Sequence, residues 1–237
     1  MSAQRVHISC NGLASLALLR LQSWLSPSFP NGAYSYSHGL EWAVEAGDVS
    51  DRESLVDWLD ADLCHGSARN EAIFFSEAYR STLADDLASL TQVAELAAAS
   101  RGTAEFALES SQQAGACLSI LRQVWPDRIL QILTALPGQP ALAVVLGARL
   151  ARENIPLGLA LTAFLHSYVA NLVNAGVRLI PLGQTDGQLA IAALENTVLR
   201  ASAQDCRATL DDFGSAGFMV ELSSIAHETQ YTRLFRS

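Results

Sequence analysis

The residues best equipped for chemistry crowd into one stretch, Pro27–Gly47, PSFPNGAYSYSHGLEWAVEAG. Tyr34, Ser35, Tyr36, Ser37, His38 and Glu41 lie within eight positions. His38 and Glu41 stand three apart, a spacing that puts two side chains on one helical face. Such a pair could serve as acid and base, or begin a metal site. A metal site needs further ligands, and Cys64-His65 stands at no recognised ligand spacing from them. Ser35 or Ser37 beside His38 suggests a nucleophile and its base, but Gly-x-Ser-x-Gly is absent and no strand leads into the turn. Two readings are favoured over catalysis. In one, His38 and Glu41 tie the first turn of a helix to nearby backbone; in the other, Tyr36, His38 and Glu41 form a polar contact face.

Two further stretches carry concentrated polar groups. Arg178, Gln184, Asp186 and Gln188 surround the Pro181-Leu-Gly183 break. The glycines at 183 and 187 make neither a phosphate loop nor a dinucleotide loop, and the chain has no lysine for a Walker motif. The expectation is a tight turn fastened by side-chain to backbone bonds, with a contact role as the alternative. The second stretch, Ser224–Ser237, holds His227, Glu228, Tyr231, Arg233, Leu234 and Phe235. Read as a helix, it aligns His227, Tyr231 and Leu234. Aromatic and arginine side chains at an exposed end make good binding anchors; docking of Tyr231, Leu234 and Phe235 on the chain's own core is the competing reading.

Helices must position these groups. Apolar residues recur at helical spacing from Leu13 to Leu25, and Tyr36, Leu40, Ala43 and Val44 do so before Gly47. Ser50-Asp-Arg-Glu53 reads as a capping box for the helix through Leu63. Further helices are expected over Ser67–Arg80, Leu83–Ser100, Phe106–Trp125, from Pro126 to Leu136, over Ala141–Asn154, from Pro156 toward Gly176, over Leu189–Leu199, and briefly around Leu210. No alternating strand segment of useful length, repeat or low-complexity tract is present. The expectation is an all-α fold, a single compact domain of about ten helices packed around the central apolar 156–176 helix. Residues 1–11 read as a flexible arm, 12–217 as the helical domain and 218–237 as a tail loosened by Gly214 and Gly217.

Composition narrows the function classes. Half of the 237 residues are apolar and 16% are charged, which suits a sizeable core. The net charge is −9, and all 15 basic residues are arginine. An acidic chain is a poor binder of nucleic acid, whose backbone calls for clustered positive charge. The four cysteines, at 10, 64, 117 and 206, form no close pair, so a disulfide framework or zinc site is not expected and a reducing cytoplasm is. Asn154–Val177 lacks Asp, Glu, Lys and Arg and is long enough to span a bilayer. It also carries Pro156, His166, Asn171 and Asn174, so a core helix is preferred and no membrane partner is expected.

The run Ser35–Glu41, the block Arg178-Leu-Ile-Pro-Leu-Gly-Gln-Thr-Asp-Gly-Gln188 and the terminal His227–Ser237 together resemble the urease accessory protein family UreF. Their order and spacing cover residues 20–237. The chain departs from that pattern at Gln139–Gly147, where the family's histidine and tyrosine are absent, and at Asn31–Tyr34. The resemblance implies an all-helical homodimer that is not an enzyme and holds no cofactor. It implies a scaffold and regulator of urease maturation, recruiting the GTPase UreG to UreD-bound (UreH in some bacteria) apo-urease for nickel insertion. It further implies partner binding through Tyr231, Arg233, Leu234 and Phe235, with Ser35, His38 and Glu41 as contact or support. The alternative function is a helical enzyme with a His38/Glu41 acid–base or metal site.

Overall fold

The computed structural model describes residues 10–136 and 138–237. The expected arm lies outside the described residues as far as position 9, and helix begins at Cys10. Among the described residues there are eleven α-helices and no strand: α1 (Cys10–Trp24), α2 (Leu40–Ala46), α3 (Arg52–His65), α4 (Ser67–Leu83), α5 (Leu87–Ala99), α6 (Ala104–Val124), α7 (Arg128–Ala135), α8 (Leu142–Arg152), α9 (Leu157–Leu179), α10 (Gln184–Asp205) and α11 (Phe218–His227). Single 3₁₀ turns lie at Ala33–Ser35 and Leu210–Asp212.

Short polar side chains set the helix starts. Asp51, not Ser50, caps α3: its carboxylate accepts the Ser54 N–H at 2.8 Å, and the Ser54 hydroxyl accepts the Asp51 N–H at 3.1 Å. The expected box is therefore displaced by one residue, because an aspartate in extended conformation serves as well as a serine. Asp86 and Thr103 cap α5 and α6 in the same way. Asp127 caps α7 through the Ile129 N–H at 2.9 Å, which leaves Pro126 before the helix rather than in its first turn.

The core centres on α4 and α8. Every residue of α8 from Ala143 to Ala151 is buried. Gly147 permits this, since a Cβ there would collide with the Phe75 carbonyl of α4. Phe75 in turn stacks on Phe164 of α9, centroids 4.9 Å apart. Composition suggested that the long apolar helix α9 would be central and nearly buried, and it is not. Only 39% of its most apolar window is enclosed, and Leu159 is 62% exposed. By length and composition α9 could cross a membrane; in this fold its inner face packs on α10, α4 and α2. Eleven consecutive helical residues lined by small and branched side chains outrank twenty-three mixed ones as the innermost element, which composition over a long window hides.

Helix α10 runs well beyond the expected Leu189–Leu199. It starts at Gln184 because Gly187 lets it lie close against α9; a Cβ at Gly187 would stand 2.9 Å from Val177 Cγ2. The Gln184–Gln188 stretch is thus the first turn of a helix rather than a separate tight turn. Conversely, α11 ends at His227, so residues 228–237 are not helical and His227, Tyr231 and Leu234 do not share a helical face.

Candidate functional site

The polar residues of the Ser35–Glu41 run meet the 228–237 segment. The chain reaches α2 through two successive left-handed residues, His38 (φ 57°) and Gly39 (φ 78°). Glycine is required at 39 twice over: by that φ, and because a Cβ would stand 3.0 Å from both the Ser224 nitrogen and the Val220 oxygen of α11. His38 therefore lies outside the helix, and the expected shared face of His38 and Glu41 does not form. The two side chains point to different partners.

Glu41, buried at the start of α2, holds the segment by its backbone. One carboxylate oxygen accepts the Leu234 N–H at 2.6 Å; the other accepts the Phe235 N–H at 2.9 Å and lies 3.0 Å from His227 Nε2. The His227 ring is fully enclosed, with Nδ1 facing Glu105 of α6 at 2.8 Å. Each of these two N···O contacts needs a proton between its partners. Burial raises the Glu105 carboxyl above its usual range, against the opposing pull of His227 and Arg233. Arg233 closes this side through a 2.9 Å bond to Glu105.

The next residues continue the seam. The Arg236 N–H donates to the Ser35 carbonyl at 2.9 Å, and the Ser37 N–H and hydroxyl both donate to the Ser237 main-chain oxygen at 2.6 Å. Tyr36 is buried and donates to Gln112 at 2.6 Å. The Glu228 carboxylate accepts the Ala104 N–H at 3.2 Å. Arg178 of α9 lies between the rings of Tyr34 and Phe235, at 3.8 and 4.2 Å from their centroids. It takes no part in the α10 start. Of the other residues expected beside it, Asp186 accepts the Gly183 N–H at 3.3 Å and pairs with Arg52, while Gln184 and Gln188 face solvent.

His38 heads a second strip. Its Nδ1 lies 3.0 Å from Glu109 and its Nε2 lies 2.7 Å from the Ser67 hydroxyl. Ser67 spends its proton on Asp62 at 2.9 Å, so both imidazole nitrogens donate. Burial works to lower the His38 pKa, but the charge and hydrogen bond of Glu109, with Asp62 and Glu71 behind it, raise it above the ordinary value. The ring stacks on Phe106, centroids 4.0 Å apart. Tyr168 donates to Asp62 at 2.6 Å, and burial, with Asp62 adding to it, pushes the phenol pKa well above its usual value. The Ser237 hydroxyl donates to Glu109 at 3.0 Å and joins the two strips.

Chemically, this arrangement clamps. Ser37, His38, Glu41, Glu105 and His227, the groups best placed to act on a substrate, are each engaged with another part of the chain. Ser37 is fully enclosed and bonded to Ser237 rather than to His38. Cys64 faces Arg200 at 3.6 Å, away from the seam's bonded partners. Among the described residues no set of three or more His, Cys, Asp or Glu is grouped to hold a metal.

Outward, the same region is apolar. Phe218, Met219, Leu222 and Ile225 of α11 are exposed, as are Tyr231 and Leu234, the last at 64%. Of the three anchors expected in this segment, Phe235 is buried in the chain itself while Tyr231 and Leu234 face solvent. Sequence reasoning missed Glu105 and Glu109. The available signal was their i, i+4 spacing beside Phe106 on a helix whose later turns bury Gln113, Ala114, Cys117 and Leu121.

The family model described as UreF matches residues 49–195. A "Urease accessory protein UreF" of Rhodopseudomonas palustris (strain HaA2) is 50% identical over 222 residues, covering 93% of this chain and 94% of that protein. One of Bradyrhizobium diazoefficiens is 47% identical over 222 residues, covering 93% and 92%. One of Bradyrhizobium sp. (strain ORS 278) is 46% identical over 235 residues, 99% of this chain and 98% of that protein, and so takes in the seam as well. With likeness of this extent along nearly its whole length, the chain belongs to the UreF family of urease accessory proteins.

Proposed function

We propose that this protein is a cytoplasmic assembly scaffold for urease maturation, binding UreD and presenting UreG to apo-urease so that nickel can be inserted. One observation carries this reading: residues 218–237 are fixed from within by buried polar groups and leave a set of large apolar side chains on the surface. Glu41, Glu105 and His227 are consumed in fixing the segment, whereas Phe218, Met219, Leu222, Ile225, Tyr231 and Leu234 are left on the surface. Large apolar side chains exposed at helical spacing along one helix, as Phe218, Leu222 and Ile225 are, favour a protein partner over solvent. A rigid clamp beneath them means that little ordering entropy is lost on docking. In this reading the chain acts as a homodimer without catalysing a reaction, and UreG supplies the GTPase.

The test uses point variants, since removing Ser224–Ser237 would also remove the enclosed His227 and Phe235. Leu222→Asp and Leu234→Asp should each abolish co-purification with UreD while leaving the helical circular dichroism unchanged. Urease matured beside them should lack nickel. Retained UreD binding by both folded variants would refute the placement of the contact face.

A further inference from the structure

Asn31 and Gly32 stand where the chain leaves Pro30 and enters the Ala33–Ser35 turn, outside every α-helix. Their setting brings an electrophile and a nucleophile together. The Asn31 Oδ1 accepts the Ala33 N–H at 3.0 Å, which folds the carboxamide over the intervening Gly32 amide. The same bond draws electron density from Cγ and stabilises negative charge that develops on Oδ1 when Cγ is attacked. Among the described residues nothing accepts from the Asn31 Nδ2, and the Gly32 N–H donates to none of them. Gly32 is exposed and left-handed, with φ 82°, and open space surrounds the place a Cβ would take. A ring closing at this point meets no side chain.

The other described asparagines are held differently. Asn70, Asn171, Asn174 and Asn196 lie inside α-helices. The Asn70 Oδ1 accepts the Gly214 N–H, and the Asn171 Nδ2 donates to the Ala33 carbonyl. Asn154 precedes Ile155, a buried β-branched residue whose N–H is bonded to the Leu150 carbonyl.

We propose that Asn31 is a site of spontaneous deamidation, and that its isoaspartate product loosens the seam formed by residues 228–237. The Gly32 nitrogen bonds to the Asn31 Cγ, the Cγ–Nδ2 bond breaks, and Nδ2 leaves as ammonia with the Gly32 proton. Water then opens the cyclic imide at either carbonyl, giving aspartate or isoaspartate. Isoaspartate routes the main chain through the former side chain and lengthens it by a methylene. That lengthening falls directly ahead of three fastenings. The Ala33 carbonyl accepts from Asn171 at 3.2 Å, the Tyr34 ring lies 3.8 Å from the Arg178 guanidinium, and the Ser35 carbonyl accepts the Arg236 N–H at 2.9 Å.

The full chain, incubated at mildly alkaline pH and mapped by peptide mass spectrometry, tests this, with a synthetic peptide of residues 28–36 as the clock. Residue 31 should convert at a rate within about tenfold of the peptide's, with ammonia released and isoaspartate detected by enzymatic methylation. Mapping separates it from Asn11, the chain's other asparagine before a glycine. In the converted fraction, separated by its added negative charge, amide exchange at Arg236 should be about tenfold or more faster than in fresh protein. Asn31→Ser keeps an oxygen for the Ala33 N–H and has no amide to lose; incubated alongside, it should stay within about twofold of its own fresh sample. Residue 31 still asparagine when the peptide is spent overturns the proposal. So does unchanged Arg236 exchange in the converted fraction, or an equal rise in Asn31→Ser. The mass map needs no variant, so the outcome is decided even where the substitution disturbs the fold.

Discussion

Replacing Glu41 by glutamine should loosen the 228–237 segment with almost no change of shape. The carboxylate receives two main-chain N–H groups, from Leu234 and Phe235, and faces His227. An amide retains one oxygen and turns an NH₂ toward the other side. Whichever way it flips, at least one inward N–H loses its acceptor and meets a donor. Hydrogen bonds to a charged acceptor contribute about 1.5–3 kcal/mol each, and an orphaned buried donor adds its desolvation penalty. A loss of about 3 kcal/mol is therefore expected. In a domain of this size each kcal/mol moves Tm by about 2–4 °C, giving a fall of about 6–12 °C if the loss is global. If the segment undocks locally instead, the same energy appears as faster amide exchange at Leu234 and Phe235, by about a hundredfold. Thermal melting and hydrogen exchange on Glu41→Gln distinguish the two. A Tm within about 1 °C of the parent, together with unchanged exchange at those two amides, would refute the clamp.

Two other perturbations probe the fold. Gly39→Ala should destabilise by about 2 kcal/mol, since it puts a side chain at φ 78° and against the backbone of α11, and chemical denaturation reads the difference directly. Asp205, enclosed at the end of α10, has its carboxyl pushed up to about 6 from 3.8 by burial, with Arg69 opposing at 3.9 Å. Its neutral form favours the fold, so its contribution is complete below about pH 3.8 and is lost as pH rises through about 6. A difference of about two pH units corresponds to about 2–3 kcal/mol. Asp205→Asn should therefore flatten the stability profile across that interval, and parallel profiles for the two proteins would contradict the assignment.

Much of the helical architecture is legible locally. Gly47 ends α2 in the left-handed conformation that its position suggested, and the apolar spacing from Leu55 to Leu63 marks α3. Boundaries shift where two short polar residues compete, as Ser50 and Asp51 do. What periodicity cannot show is which distant group completes a local one. Glu41 reads as a helix-start carboxylate, and nothing within several turns names Leu234, 193 positions on, as its donor. The tail's aromatic and arginine residues are visible in the sequence, but their division into inward Phe235 and outward Leu234 follows from backbone bonds to Glu41. For the same reason His38 and Glu41 read as a pair, whereas an unusual φ at His38 separates them.

The link between Ser37 and Ser237 joins positions 200 residues apart. Its consequence lies in the order of events during synthesis. At about 5–20 residues per second, the α2 turn leaves the ribosome roughly 10–40 s before its partners exist. Through that interval the Glu41 carboxylate and the Ser37 hydroxyl must stay hydrated, and Phe106, Phe164 and Tyr168 can pack only around an open edge. Closing so long a loop adds little to the entropic cost, about 0.6 kcal/mol for each doubling of its length. It does, however, make the nascent chain a body with one wet seam, exposed to capture by other polypeptides until residues 228–237 arrive and close it.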